Sequence, residues 1–155
     1  MLFLLFGTNI DKDNVQLVDW LKKYGLLSNV MLLGFQADVA ALFAASDIYA
    51  MSSTSEGLPI SLIEAMACGA IPVCTDAGDI KIVVGSSGLV VPQKDTTKLA
   101  AAMLEIAGLS EKQRLERSKS AVQIVGKSYN IESVAQRYFD VLLQASSGST
   151  TSPRF

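Results

Sequence analysis

The sequence predicts an α/β fold built on a doubly wound parallel sheet, and three features of it carry that prediction. Short, nearly continuous apolar runs recur along the chain, as expected of parallel strands covered on both faces. Longer stretches with helical spacing alternate with them. The connections are short, which favours right-handed crossovers in a single sheet, with ligands beyond the carboxyl ends of the strands. At 155 residues, 50% of them hydrophobic, the chain is long enough to bury the core of one domain, placed at residues 1–145.

The first strand is predicted at 2–6. The helix at 14–24 follows, with Val15, Val18 and Leu21 in line and Leu17 beside them, opposed by Asp19, Lys22 and Lys23. Gly25 supplies a left-handed residue to stop it. A strand at 29–33 leads to an Ala-rich helix at 37–46 and a third strand at 47–51. The helix at 58–68 ends at Gly69 and feeds a strand at 70–74, and the last strand lies at 88–91. Asp95 is a good N-cap for a helix at 96–107. Helices at 111–126 and 131–144 have no strand between them and are expected to pack across the sheet edge. Residues 146–155, rich in Ser and Thr, read as a disordered tail.

Composition excludes several functions. Thirteen Lys and Arg against fifteen Asp and Glu, without a basic cluster, speak against nucleic-acid binding. The apolar runs are too short to span a bilayer and no charged leader precedes a secretory core, so a soluble, cytoplasmic protein is expected. Cys68 and Cys74 are the only cysteines and there is no histidine, which argues against a disulfide framework, a Cys/His zinc site and a His-based triad. The two thiols read as small buried residues.

The chemistry concentrates after the third strand. There Glu56, Gly57, Leu58 and Pro59 open the helix at the ligand edge, with Pro59 expected in its first turn, where a missing N–H costs nothing. The amides of Gly57, Leu58 and Ile60 then face the cleft with partial positive charge, suited to a phosphate or diphosphate. Apolar residues point in almost every direction around this helix, so it is expected to be enclosed, with Ser61, Glu64 and Cys68 as a narrow polar stripe. A carboxylate buried there needs a partner such as a sugar or ribose hydroxyl. Plainer roles remain open: Glu56 as an acidic residue favoured near a helix start, and Glu64 as a carboxylate reaching solvent or a lysine. A nicotinamide-dependent enzyme is disfavoured because no Gly-x-Gly-x-x-Gly follows the first strand.

The segment SEGLPISLIEAMACGAIPV, residues 55–73, resembles the signature of the retaining glycosyltransferases of family 4, also called glycosyl transferases group 1, with two glutamates separated by seven residues. The likeness extends to 75–78 (TDAG) and 88–92 (GLVVP), and upstream to 30–35 (VMLLGF) and 42–47 (LFAASD), covering about residues 2–145. It implies the C-terminal Rossmann-like half of a GT-B enzyme, which binds a nucleotide diphosphate sugar such as a UDP- or GDP-sugar. The acceptor, a glycan or a lipid-linked acceptor in polysaccharide biosynthesis, would be held by an N-terminal domain missing from this chain. Any peripheral membrane association would come through that domain.

By the same resemblance Glu56 is the catalytic-site carboxylate at the donor sugar, while Gly57, Leu58, Ile60 and Ser61 lie at sugar and phosphate. Glu64 would hold the ribose hydroxyls, and Gly34, Phe35 and Gln36 would read the base. No metal and no cofactor are implied. The chain also departs from the family pattern. It begins at the family's second strand, without the unit whose Arg and Lys clamp the diphosphate. Thr8-Asn9-Ile10 replaces a Gly-Pro turn, Lys81 or Ile82 holds a usually acidic position, and the loop at Gly85-Ser86-Ser87 is short. The expectation is a hexosyltransferase half that is inactive alone, the alternative being a non-catalytic nucleotide-sugar-binding or interaction domain.

Overall fold

The computed structural model describes residues 1–146, which fall into two compact units, residues 1–42 and a second unit from Phe43 onward. Ser146 is still the last residue of a helix, so the predicted tail otherwise lies outside the described residues.

In the first unit β1 (Phe3–Leu5) pairs in parallel with β2 (Val30–Leu32), Phe3 opposite Val30. Between them runs α1 (Val15–Lys23), started by the Asn14 side chain, which accepts the Leu17 amide at 3.1 Å. Its end is a Schellman motif: the Leu26 amide donates to the Leu21 carbonyl and the Gly25 amide to that of Lys22, with Gly25 at φ +66°. Leu21 is buried and Leu17 and Val18 half-buried, but Val15, predicted on the same face, is exposed. The next helix, α2 (Ala40–Ala44), is shorter than predicted. The Asp38 carboxylate accepts the Ala40 amide at 3.1 Å and so starts the helix late, while a turn from the Ser46 amide to the Phe43 carbonyl ends it early.

The second unit holds a three-stranded parallel sheet in the order β3 (Ile48–Met51), β4 (Ile71–Thr75), β5 (Leu89–Val91). All five residues of central β4 are buried. Pro72 is tolerated because the β4–β5 ladder begins one residue later, at Val73 opposite Leu89. Gly88 makes the approach at that point possible, since a Cβ there would lie 2.0 Å from the Pro72 carbonyl oxygen.

One face of this sheet packs Ile71, Val73 and Val91 against Ala102 and Ile106 of α5 (Thr96–Ala107), whose Asp95 cap accepts the Lys98 amide as predicted. The other face carries α3 (Ile60–Ala67), α4 (Ile80–Val84) and α6 (Glu111–Ser128), which enclose Leu62, Met66, Cys74, Ile80, Val83, Val84, Ala121 and Val125. The five-residue α4 went unpredicted, being too short for a period to show. A capping box between Ser110 and Gln113 starts α6. This helix lies on the sheet face against α3 and β4, not across an edge, because Ala121 and Val125 are core residues; α7 (Ile131–Ser146) packs on α6 and buries no residue. Among the described residues no helix is long and apolar enough to cross a membrane.

The helix α3 is enclosed on one side only. Leu62, Ala65 and Met66 are fully buried, whereas Ile60 is 61% exposed. Leu62→Ala is therefore expected to cost about 2–5 kcal/mol in urea denaturation, the range for a core truncation, and Ile60→Ala no more than about 0.5 kcal/mol. Equal losses would contradict this one-sided burial.

Candidate functional site

The loop from Ser52 to Pro59 leaves the carboxyl end of β3, and the adjacent strand β4 holds it from behind. The buried Thr75 hydroxyl, at the end of β4, donates to the Ser53 carbonyl. In turn the Ser53 hydroxyl donates to Oε1 of Glu56 at 2.7 Å, fixing that half-buried carboxylate. One residue on, the Asp79 amide donates to the Gly57 carbonyl at 3.4 Å. Between these two contacts Gly78, at φ +56°, comes so near that a Cβ on it would lie 2.1 Å from the Glu56 carbonyl oxygen. Only glycine fits both that conformation and that approach.

Pro59 is not in the first turn as predicted but caps the helix: its ψ of 110° is extended, and its carbonyl accepts the amides of Leu62 and Ile63. No side chain caps this terminus, and Ile60 and Ser61 supply its leading amides. Gly57 and Leu58 precede the helix, so of the three amides assigned to the helix start only that of Ile60 belongs to it. At the other end the Ala70 and Gly69 amides close a second Schellman motif onto Ala65 and Met66, with Gly69 at φ +90°.

Glu64 is exposed, contrary to the expected burial. It lies on the solvent side of α3, one turn beyond Ser61, and keeps its hydration without a protein partner being required. Periodicity had suggested burial because Ile60 and Leu58 are as apolar as the core residues, yet both are exposed.

Tyr49 had been read only as part of an apolar strand. Its position on β3 sends its side chain to the α3 face, where its hydroxyl lies 2.8 Å from Ser61 Oγ. Burial raises its pKa; the Ser61 hydrogen bond opposes this, and the charges of Cys74, Glu56 and Glu64 raise it further. The hydroxyl is thus within electrostatic reach of both glutamates. The pleat puts Tyr49 on one strand face with Met51, two residues on, but nothing local marks its Ser61 partner, twelve positions away. Cys74, buried in the core beneath, has its pKa pushed up to about 12 by desolvation, and Cys68 is half-buried.

Lys81 is exposed in an open depression with Asp76, Val90, Pro92 and Gln93, beyond the carboxyl ends of β4 and β5. Glu56, Gly57, Leu58, Ile60, Ser61 and Glu64 are thus brought to one end of the second unit's sheet. The other predicted residues, Gly34, Phe35 and Gln36, belong to the first unit, at the carboxyl end of β2. There Gly34, at φ +66°, donates its amide to the Ile10 carbonyl and accepts the Gly7 amide, so the loop after β1 is joined to it. The Gln36 side-chain amide donates to the Leu33 carbonyl at 2.6 Å, and Phe35 is 74% exposed.

Residues 2–109 match the family described as glycosyl transferases group 1. The N-acetyl-alpha-D-glucosaminyl L-malate synthase of Bacillus anthracis is 33% identical over 132 residues, 82% of this chain and 35% of that protein. An N,N'-diacetylbacillosaminyl-diphospho-undecaprenol alpha-1,3-N-acetylgalactosaminyltransferase of Campylobacter jejuni is 33% identical over 114 residues, 70% of this chain and 29% of that enzyme. The chain thus spans about a third of the length of these curated relatives. Among solved structures, sucrose-phosphate synthase from Thermosynechococcus elongatus superposes with a TM-score of 0.80 at 24% identity, over 94% of this chain and 39% of that one. Anabaena HepE in complex with UDP gives a TM-score of 0.79 at 26% identity, over 91% and 40%. The fold is a Rossmann-like half of a GT-B glycosyltransferase, and the chain belongs to the group 1 glycosyl transferases.

Proposed function

We propose that this chain is the donor-binding half of a retaining glycosyltransferase that moves a hexose-type sugar from a nucleoside diphosphate to a glycan or lipid-linked acceptor. The observation that carries this reading is the loop held on the end of β4, which fixes Glu56 in front of an uncapped helix terminus and sets Glu64 one turn along the exposed side. A diphosphate at the leading amides of α3 would gain hydrogen bonds and the helix dipole together. Glu64, on the exposed side, would take the ribose hydroxyls, and Glu56 a hydroxyl of the donor sugar. UDP is the first nucleotide to test, because HepE, at 26% identity, was crystallised with UDP.

In this scheme the bond from the anomeric carbon to the diphosphate breaks through an oxocarbenium-like state. The negative charge that develops on the leaving oxygen is stabilised where the helix amides already point. No metal is called for. The acceptor hydroxyl attacks on the face the diphosphate leaves and passes its proton to the departing phosphate oxygen, which retains the configuration.

Three outcomes are expected. Glu64→Gln should weaken UDP binding by about five- to a hundred-and-fifty-fold, as for loss of charge-assisted hydrogen bonding worth about 1–3 kcal/mol, in calorimetric titration; unchanged affinity in a folded variant would remove Glu64 from the ribose. Glu56→Ala should leave binding of free UDP nearly intact while lowering turnover once the chain is joined to an acceptor-binding half. An equal loss for UDP and for a UDP-sugar would move Glu56 away from the sugar. Finally, the 155-residue chain by itself should bind nucleotide sugars at about 0.1–1 mM and transfer none, since positioning of the acceptor supplies much of the rate. Multiple turnover with labelled UDP-sugars and an acceptor panel would show a more complete site.

A further inference from the structure

Tyr49 makes two contacts that one proton cannot serve at once. Its hydroxyl lies 2.8 Å from Ser61 Oγ, where either oxygen can donate, and 3.6 Å from the sulfur of Met51, to which only the tyrosine can donate. The ring itself is fixed. Phe43, which is buried, meets it edge-on, with centroids 5.8 Å apart and planes at 75°. Two proton arrangements follow. With the tyrosine proton on sulfur, Ser61 donates to the tyrosine oxygen. With that proton on Ser61, the serine's own proton is released toward solvent, where Ser61 is exposed. A thioether is a weak acceptor, so exchange between the two arrangements costs little. A phenol is protonated at neutral pH in any case, and burial raises its pKa further, so Tyr49 remains a donor.

We propose that Tyr49 is a positioning residue for the donor diphosphate: it donates to Ser61, and Ser61, in the second position of α3, donates to a phosphate oxygen held at the helix terminus. This rests on the donor-site reading above. An anion at that terminus draws both protons outward, which converts a neutral hydroxyl pair into a two-step donor chain added to the backbone amides. Such chains polarise one another and strengthen the outermost bond. A rigid ring behind an exposed serine also holds its rotamer, so less freedom is lost when the phosphate binds.

The test is titration of the full chain with UDP and with uridine, and with GDP and guanosine as a second pair, followed by NMR for wild type, Tyr49→Phe, Ser61→Ala, Ser61→Thr and the double variant Tyr49→Phe/Ser61→Ala. Tyr49→Phe should weaken the nucleoside diphosphate about three- to ten-fold, the size of one hydrogen bond, and leave the nucleoside unchanged. The double variant should be no weaker than Ser61→Ala alone, because Tyr49 acts through Ser61. Ser61→Thr, which keeps the hydroxyl, should retain most of the affinity. Wild-type affinity in Tyr49→Phe, equal losses for diphosphate and nucleoside, or additive losses in the double variant would each overturn the proposal while leaving the donor site standing. Absence of binding by wild type to either diphosphate would overturn the donor reading itself and this proposal with it. Ser61→Ala, a change at an exposed position, provides the same contrast should Tyr49→Phe unfold the chain.

Discussion

The site depends on the contact between the end of β4 and the loop that leaves β3. Thr75 is buried and spends its hydroxyl on the Ser53 carbonyl, while Gly78 lies against the Glu56 carbonyl at a distance no other residue could match. Together they fix the backbone on both sides of Ser53 and Glu56, so the hydrogen bond from Ser53 to the Glu56 carboxylate is set by the strands and not by the loop. A loop of this length and polarity would otherwise sample many conformations, and ordering each residue costs about 1–2 kcal/mol. Here that cost is met during folding, before any ligand arrives.

The same strand order explains why α3 can present an uncapped terminus. Leu62, Ala65 and Met66 are fully buried against the sheet, and a Schellman motif closes the far end, so tertiary packing holds the helix without a side chain at its start. Pro59 contributes by what it lacks. Having no N–H, it adds no orphan donor, and its carbonyl takes the amides of Leu62 and Ile63, which leaves those of Ile60 and Ser61 leading. An N-cap serine or aspartate would stabilise the helix by about 1 kcal/mol and would compete with an anion by accepting the Ser61 or Leu62 amide.

The legibility of the chain follows the same physics. All five strands were visible as short continuous apolar runs, although only β4 is buried throughout, and α1, α3 and α5 were visible because Gly25, Gly69 and Asp95 mark their ends. Burial within α3 was not visible, because Ile60 and Leu62 are chemically alike and only the sheet decides which one it covers. That is why Glu64 was expected in the interior and stands outside. The turn at Gly78 and the hydroxyl of Tyr49 were hidden for a different reason. Each matters through a residue more than ten positions away in the chain, and no local pattern records such a partner.

The two glutamates, eight positions apart, end in opposite physical states, and the contrast bears on how a polyol would be held. Glu56 accepts from Ser53 and is half-buried, so its orientation is settled and part of its hydration is already lost. A hydroxyl reaching it meets a prearranged acceptor, which favours discrimination in geometry over raw affinity. Glu64 is exposed and carried by its helix, so a diol that replaces its waters gains the difference between two sets of hydrogen bonds, a net of about 0.5–1.5 kcal/mol for a typical bond and more for a charged acceptor. The rigid carboxylate therefore suits the group whose position must be controlled during bond cleavage. The hydrated one suits a group that only has to be held, which is the division between sugar and ribose in the proposed reading.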